Sequence, residues 1–352
     1  MDSQIACLVV SMHKFDHIQA NKKRIVGVGS ALVDILAYED EDFLNKTGGA
    51  KGGMTYVKKE FIEHTLKISS TQPTTVPGGS ACNTVVGVGN LGGSARFIGK
   101  CGNGKLGKFF ENDLKHHNVE PMLFQSNLPT GRVLSIITPD AQRSMFTFLG
   151  ASADMLPQDI SEDCFEGAAI VHLEGYLLFN SDLILKVLKT AKTSGALISL
   201  DLPSYNVVKE SLELLRHIVD TFVDILMANE DEARAYTGQA DETRAVNALA
   251  EKVDIGVLKI GKRGSLIAYH NEILPIEPLG SGQATDTTGA GDLWAAGFLY
   301  GLVNGWPIEK CGALGSACGY EVCQVIGANI PEAGWERIKK SWSYGAVESY
   351  RF

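Results

Sequence analysis

The sequence lacks paired cysteines and long apolar runs. Its seven cysteines form no CxxC pair in 352 residues, which leaves neither a regular disulfide framework nor a zinc-ligand pattern. No apolar stretch approaches the ~18 residues of a membrane-spanning helix. The apolar segment 5–10 is short and no basic residue precedes it, so it does not fit a secretory signal. We therefore expect a cytoplasmic protein without a membrane partner, in which residues 1–23 form an extension outside the fold.

Positive charge is also scarce. Lys and Arg number 32 against 41 Asp and Glu, which gives a formal net charge of −9. Because nucleic-acid affinity depends on neutralising phosphates, a nucleic-acid partner is not expected. Hydrophobic residues make up 45% of the chain and charged residues 21%, a composition that can bury a substantial globular core.

Common nucleotide-binding signatures are missing as well. No GxxxxGK[ST] segment is present, which excludes a P-loop, and the protein-kinase signatures are absent. Gly27 and Gly29 begin a dinucleotide-binding fingerprint, but Leu32 stands at its third glycine position. A dinucleotide-dependent oxidoreductase is therefore a disfavoured alternative.

After residue 150, strands and helices alternate, which is typical of parallel βαβ units with helices on both faces of one sheet. Strands are predicted at 24–30, 168–173, 196–201, 223–227 and 255–260. The segments 35–77 and 131–149 have an antiparallel β pattern that does not fit this layer. We predict that they form a small lid over the carboxyl edge of the sheet, within an α/β domain of residues 24–352.

The segment DTTGAGD at 286–292 carries the strongest chemical signal. Gly289, Ala290 and Gly291 are small and precede an apolar helix, whose N-terminus presents unpaired N–H groups to an anion. Asp292 lies in the first turn of that helix, where a carboxylate suits a base that takes a proton from an attacking hydroxyl. The structural alternative is a glycine-rich cap with an aspartate favoured by the helix dipole.

Two further segments could hold an acceptor that carries hydroxyl groups. In PGGSACN (77–83), Gly78 and Gly79 permit close backbone approach, and Asn83 offers both a donor and an acceptor. Asp34 is predicted just beyond the first buried strand, at the edge where open α/β sheets bind ligands. A turn with a helix cap and a loop aspartate are the structural alternatives.

Two later segments could meet a nucleotide. Asn229 and Glu232 open a helix after a strand, where they could form a capping arrangement or a polar cluster near Mg²⁺ and the phosphates. The segment 257–264 is a strand that runs into a tight glycine turn. It could be a simple hairpin, or its backbone and Lys262 could contact the nucleotide.

Together these segments resemble the ribokinase-like (PfkB) family of carbohydrate and nucleoside kinases over about residues 24–340. GGSACN (78–83) is similar to the first family signature and DTTGAGDLWAAGF (286–298) to the second. The resemblance implies a doubly wound, mostly parallel sheet flanked by helices with a β-sheet lid, and a phosphotransferase that uses ATP, Mg²⁺ and, at a separate site, K⁺.

The resemblance also implies roles for individual residues. These are Asp292 as the base; Gly289, Ala290 and Gly291 as the anion hole; Asp34, Gly78, Gly79 and Asn83 as substrate contacts; Asn229, Glu232, Lys259, Gly261, Lys262 and Gly264 as nucleotide contacts; and Asp286 and Thr288 as monovalent-cation ligands through backbone carbonyls. Residues 327–329, Gly-Ala-Asn, are similar to a late GA[RQ] segment of the family, with Asn329 in place of Arg or Gln.

The adenosine-kinase-like branch is the most similar subgroup, because of the long 35–77 insertion, the run EGYL at 174–177 and the form GGSACNT. This branch implies γ-phosphoryl transfer to the primary hydroxyl of a ribose-containing acceptor such as adenosine. Tyr176 and Tyr205 are candidate partners for a nucleobase. A kinase for a free sugar or a sugar phosphate, the latter using Arg132 and Arg143, stays open, as does a non-catalytic binding regulator. The lid edges fit either a monomer or a homodimer.

Overall fold

The computed structural model describes residues 23–49, 51, 53–140, 143–280 and 283–343. The strands in the described chain are β1 (Arg24–Val28), β2 (Leu32–Tyr38), β3 (Met54–Tyr56), β4 (Thr74–Gly78), β5 (Ala95–Gly102), β6 (Val119–Ser126), β7 (Gly131–Ile137), β8 (Arg143–Phe148), β9 (Ala168–Glu174), β10 (Leu197–Asp201), β11 (Ile225–Asn229), β12 (Ile255–Lys259), β13 (Ser265–Tyr269) and β14 (Glu272–Ile276).

The α-helices are α1 (Glu41–Thr47), α2 (Lys59–Ile68), α3 (Ser80–Asn90), α4 (Lys105–His116), α5 (Ser181–Thr193), α6 (Tyr205–Glu210), α7 (Leu212–Phe222), α8 (Glu230–Thr237), α9 (Glu242–Leu249), α10 (Ala290–Val303), α11 (Ile308–Val322) and α12 (Glu332–Ser343). Within the described chain, none of these helices combines the length and the apolar character needed to cross a membrane.

A nine-stranded sheet forms the centre of the molecule, in the order β14-β13-β12-β11-β10-β9-β1-β5-β6. In this order, the seven strands from β12 through to β6 are parallel, and β13 and β14 are antiparallel strands at one edge. Neighbouring strand residues alternate between two cores, as Ile25 and Val26 do. Helices α3, α10 and α11 cover one face, and α5, α7 and α9 cover the other. The predicted α/β architecture with helices on both faces is confirmed.

Helix α10 is apolar on most sides because it lies between the sheet and a second layer of helices. Leu293, Phe298 and Leu299 are fully buried or nearly so. A Cβ on Gly297 would lie 2.7 Å from the Leu314 carbonyl oxygen, so this glycine lets α10 and α11 approach at backbone distance. This packing fixes the direction in which the N-terminus of α10 points.

A second sheet of five strands has the order β3-β8-β7-β2-β4. Its small core includes Ile35, Leu134 and Phe146, together with Leu44 of α1 and Ile62 of α2. The alternating residues on these strands face the other way, into a cleft shared with the nine-stranded sheet. The role of the five-stranded sheet as a lid, and its domain boundaries, stay predictions.

The structure corrects several expectations about the strands. Asp34 does not follow the first strand but lies within β2 of the five-stranded sheet, because the chain leaves β1 at Val28 and resumes a strand at Leu32. That sheet is mixed rather than antiparallel, since β2 pairs in parallel with β7 and β3 with β8. Strand β6 was not predicted. The sequence pattern also predicts a single helix at 208–219, whereas the structure has two helices, α6 and α7, divided at Ser211.

The chain passes between the two sheets at four places: after β1, after β4, after β6 and after β8. The connecting segments contact each other in two pairs, and each contact is at a glycine. A Cβ on Gly79, whose φ is 104°, would lie 2.4 Å from the Ser30 carbonyl oxygen. A Cβ on Gly150, with φ of 51°, would lie 2.3 Å from the Pro129 carbonyl oxygen. Only glycine fits both the positive φ and the close approach at these positions. The predicted extension at 1–23 lies outside the described residues except for Lys23.

Candidate active site

A cleft of about 1510 Å³ lies between the two sheets. Four neighbouring parallel strands of the nine-stranded sheet end at this cleft in a polar or charged residue. These residues are Glu174, Asp201, Asn229 and Lys259, each the last residue of its strand. Because the carboxyl ends of parallel strands share one edge, residues far apart in the sequence meet here.

Asp292 lies in the first turn of α10 and faces this row. One carboxylate oxygen accepts a hydrogen bond from the Ser80 hydroxyl at 2.7 Å, and the other accepts one from the Asn83 amide at 2.8 Å. Burial raises the pKa of Asp292 above its ordinary value, and these two hydrogen bonds oppose the rise. The sequence prediction that Asn83 and Asp292 share a site fits this geometry, whereas Ser80 was missed.

The N-terminus of α10 is built from small residues, as the sequence suggested. Gly289 precedes the helix with a φ of 74°, in the left-handed region that favours glycine. A Cβ on Gly289 would lie 2.6 Å from the Cβ of Ala328, so the loop at 327–329 packs directly against this turn. Ala290 and Gly291 begin the helix; the Ala290 N–H donates to the Thr287 carbonyl oxygen at 3.2 Å, so the N–H of Gly291 is the candidate donor of this first turn. The arrangement can accept an anion beside Asp292.

Glu174, at the end of β9, connects this strand to the loop after β1 and to the start of α3. Its carboxylate accepts the Ser30 N–H at 2.8 Å and the Ala81 N–H at 3.2 Å, which fixes the start of α3 relative to β1. Burial raises the pKa of Glu174 to about 6, against these hydrogen bonds. The sequence indicates Glu174 only as part of the run 174–177, because its hydrogen-bond partners lie elsewhere in the chain.

Asp34 enters the cleft from the five-stranded sheet and is 8% exposed. It pairs with Arg143 of β8 at 3.5 Å, and burial raises its pKa while Arg143 lowers it. Arg143 also donates to the hydroxyl of Thr288, in the loop before α10. Gly78 pairs with Leu32 next to Asp34, where a Cβ would lie 2.6 Å from the Asp34 carboxyl. The predicted acceptor residues therefore lie near one another.

Asn229 and Glu232 form a capping box at the start of α8. The Asn229 side-chain oxygen accepts the Glu232 N–H at 2.9 Å, and the Glu232 carboxylate accepts the Asn229 N–H at 2.9 Å. Burial and the nearby Asp201 raise the pKa of Glu232 to about 8. The structural alternative considered for this motif is thus present, and both residues also line the cleft.

The predicted nucleotide turn follows β12. Gly261–Arg263 form one turn of 3₁₀ helix, and Gly264 has a φ of 93°. A Cβ on Gly264 would lie 2.1 Å from the Ile276 carbonyl oxygen, so the turn requires glycine. Gly261, Lys262 and Gly264 line the cleft, as does Lys259. The ammonium of Lys259 donates to both carboxylate oxygens of Asp201, at 2.8 and 2.7 Å.

The metal chemistry of the cleft is limited by its donors. Among the described residues there is no cluster of three or more His, Cys, Asp and Glu side chains able to hold a metal ion. Mg²⁺ that binds together with a nucleotide is commonly held by one or two carboxylates, the phosphate oxygens and water. The Asp286 carboxylate accepts hydrogen bonds from the Thr288 N–H and hydroxyl and from the Gly327 N–H, so its own side chain is already occupied.

The chain is similar to known kinases in sequence and in fold. The family model described as pfkB family carbohydrate kinase matches residues 23–333. The Arabidopsis thaliana protein named Probable fructokinase-5 is 28% identical over 295 residues, which cover 77% of this chain and 90% of that relative.

Two solved structures are similar over nearly the whole chain. A probable sugar kinase from Rhizobium etli CFN 42 is 30% identical with a TM-score of 0.84, covering 92% of this chain and 99% of that one. An adenosine kinase from Sinorhizobium meliloti is 30% identical with a TM-score of 0.83, covering 93% and 100%.

Proposed function

The chain belongs to the pfkB family of carbohydrate kinases, which are phosphotransferases with an alcohol acceptor, and on this premise we propose that it transfers the γ-phosphoryl group of ATP to the primary hydroxyl of a nucleoside such as adenosine. Asp292 takes the proton of the attacking hydroxyl. The first turn of α10, at 289–291, stabilises charge on the phosphoryl oxygens. Mg²⁺, when bound with ATP, neutralises charge on the β- and γ-phosphates. Asn83 and Asp34 hold the sugar hydroxyls.

An apolar and aromatic wall in the cleft carries the preference for a nucleoside. Tyr56 of β3 is 49% exposed and Phe179 is 51% exposed, with ring centroids 6.1 Å apart in an edge-on arrangement. The rings of Tyr176 and Phe179 stack at 6.3 Å. Met54, Met145, Met155 and Leu177 extend the same wall. A flat nucleobase buries such a surface, whereas a free sugar offers hydroxyl groups instead.

The other aromatic candidate from the sequence lies elsewhere. Tyr205 begins α6, and its ring faces the Lys209 ammonium at 5.3 Å. The cleft lining includes Tyr176 but not Tyr205. Tyr56 and Phe179 could not be recognised in the sequence, because one lies on a short strand and the other just before α5.

A sugar kinase is the second candidate, supported by the similarity to Probable fructokinase-5 and to a probable sugar kinase. A phosphorylated sugar needs basic residues free to bind its phosphate. Arg132 pairs with Glu63 and is not among the residues that line the cleft, which leaves Arg143, bonded to Asp34 and Thr288, as the one candidate of this pair. A non-catalytic regulator is disfavoured, because Asp292 keeps both of its hydrogen-bond donors in place.

A substrate panel tests the proposal. We expect turnover with Mg-ATP in a coupled ADP assay to be highest with adenosine or inosine and at least tenfold lower with ribose, fructose and fructose phosphate. Tyr56→Ala should raise KM for the nucleoside about tenfold, since an aromatic contact is worth ~1 kcal/mol or more with its buried area. Phe109→Ala, an exposed aromatic on α4, is the control. Fructose or ribose as the best substrate would reject the nucleoside assignment.

The cation site is part of the same proposal. The Asp286 carboxylate holds this loop in place by accepting the N–H groups of Thr288 and Gly327, and the backbone carbonyls of Asp286 and Thr288 are the ligands that we propose for a monovalent cation such as K⁺. We expect activity to rise when K⁺ replaces Na⁺ at constant ionic strength. Equal activity in the two salts would remove K⁺ from the proposal.

A further inference from the structure

Lys259 places a buried positive charge at the anion site. Its side chain is 14% exposed, and its ammonium is held by both oxygens of Asp201, whose side chain is 8% exposed. Lys259 ends β12 and Asp201 ends β10, so the pair spans β11 between them. The family resemblance implies a nucleotide contact for Lys259, and its ammonium lies beside Gly291 at the start of α10.

The position of the ammonium follows from the helix beside it. A Cβ on Gly291 would lie only 3.0 Å from the Lys259 nitrogen, and 3.7 Å from the carbon that carries it. The charge therefore lies against Gly291 in the first turn of α10, the same turn that carries Asp292. A side chain at position 291 would lie against the Lys259 ammonium, so glycine at this position lets the ammonium approach the backbone of α10.

The ammonium remains charged at this position. Burial lowers the pKa of Lys259, but Asp201 and Glu232 raise it by more, so that it lies above its ordinary value. Asp201 uses both oxygens on a single nitrogen, which leaves the remaining N–H of the ammonium for another acceptor. A fixed cation with a free donor at a helix N-terminus suits a phosphoryl oxygen.

We propose that Lys259 is a catalytic residue that contacts the transferring phosphoryl group, and that Asp201 is the positioning residue that holds it there. This inference rests on the proposed phosphoryl transfer. The acceptor oxygen loses its proton to Asp292 and forms a bond to the γ-phosphorus. The bond from that phosphorus to the β-phosphate oxygen breaks, and its electron pair leaves with ADP. Lys259 keeps its proton and stabilises the charge on the phosphoryl oxygens.

Lys259→Met tests the catalytic role, with Lys252→Met, an exposed lysine before the same strand, as the matched control. We expect kcat to fall by ~10²–10³, as for other preorganised charge-stabilising donors, with KM values changed less than about threefold. Calorimetry with MgADP should give unchanged affinity, because ADP lacks the group that Lys259 contacts. A loss of MgADP affinity as large as the loss of kcat would overturn the proposal.

A double variant separates catalysis from stability. Lys259→Met alone leaves the Asp201 carboxylate buried without a partner, which is destabilising. Lys259→Met combined with Asp201→Asn removes both charges and should regain thermal stability without regaining kcat. Asp201→Asn alone should lower kcat with KM preserved. Recovery of kcat in the double variant would show that the pair is structural and would reject the catalytic role.

A phosphoryl mimic distinguishes this inference from the proposed function. Wild-type protein should bind MgADP more tightly when aluminium fluoride is added. The factor by which aluminium fluoride increases the affinity should be at least tenfold smaller in Lys259→Met. If the wild type phosphorylates none of the acceptors and shows no such gain, the proposed function fails. If the wild type shows the gain and Lys259→Met retains it in full, the proposed function stands and the role of Lys259 is rejected.

Discussion

The carboxylate of Asp292 accepts one hydrogen bond on each oxygen, from Ser80 and Asn83, and still faces the cleft. We predict that Asp292→Asn lowers kcat by ~10²–10⁴, because the hydroxyl loses its base, while substrate binding is largely retained. Initial rates and calorimetric affinities measure the two effects. Glu309→Gln, an exposed acid in the first turn of α11, is the control for the helix dipole. Near wild-type kcat in Asp292→Asn would reject the assignment.

The raised pKa of Glu174 predicts that the stability of the protein depends on pH. Its pKa is raised to about 6 in the folded protein from an ordinary 4.5, so folding favours its protonated form. The stabilisation of the folded state by protonated Glu174 is complete below pH 4.5 and is lost as the pH rises through 6. The shift corresponds to about 2 kcal/mol. Urea unfolding of the wild type and Glu174→Gln should therefore show the wild type losing about 2 kcal/mol relative to the variant between pH 4.5 and 7.

A constant difference between the two proteins across that pH range would contradict the shift. Comparison with Glu174→Gln removes the contribution of the other acids, since they titrate in both proteins. The amide of the variant can accept only one of the N–H groups of Ser30 and Ala81. This loss lowers its stability at every pH without altering the slope.

The sequence predicts some residues of the site and not others, for a physical reason. Asp292 and Gly289 belong to one contiguous segment whose composition indicates a helix start and predicts an anion site there. Ser80, Glu174 and Asp201 act through partners that lie far away in the chain, so no local pattern identifies them. Each of these is an ordinary polar residue at the end of a strand or the start of a helix until the fold is known.

At the scale of elements, the start of α8 combines a cap with a cleft surface. We predict that Asn229→Ala lowers the unfolding free energy by ~1 kcal/mol, because the helix loses its N-cap. Glu232→Gln can still accept the Asn229 N–H but loses the hydrogen bond from the Asn229 side-chain amide, so its unfolding free energy should fall by ~0.5–1.5 kcal/mol. If Glu232 also acts on the nucleotide and Mg²⁺, this variant should raise KM for Mg-ATP several-fold. Unchanged steady-state kinetics would assign Glu232 to capping alone.

The elements themselves were predictable where one periodicity dominates. Helix α10 and strands β9 to β12 occur where the sequence pattern places them. Strand β6 was missed because its sequence VEPMLFQS contains Pro121 and no regular alternation. The parallel pairing of β2 with β7 joins residues that a local pattern cannot connect, since Leu32 lies opposite Gly131.

At the scale of the whole molecule, Arg143 connects the five-stranded sheet to the loop before α10, a helix that packs on the nine-stranded sheet. It lies on β8, pairs with Asp34 and donates to Thr288 before α10. We predict that Arg143→Met increases amide hydrogen exchange in β7 and β8 about tenfold, since a hydrogen bond from a charged donor is worth ~1.5–3 kcal/mol. Exchange in β9 to β11 should not change. Mass spectrometry of deuterated peptides measures both.

Arg132→Met is the matched control, because Arg132 lies on the neighbouring strand β7 and pairs with Glu63 of α2. Equal exchange in the two variants would show that Arg143 does not restrain the five-stranded sheet. The cytoplasmic location, the absence of a nucleic-acid partner and the choice between monomer and homodimer stay predictions. Cell fractionation tests the first and sedimentation velocity the last.

The position of β2 between β4 and β7 has a consequence during synthesis on the ribosome. Leu32 pairs with Gly78 on one side and with Gly131 on the other. The nascent chain delivers β4 first, so β2 and its Asp34 have one open edge until β7 has emerged. An unpaired edge is a template for wrong pairing and a surface for chaperones. The strand that would hold the acceptor is therefore the one whose completion depends on how quickly the next 50 or so residues are translated after β4.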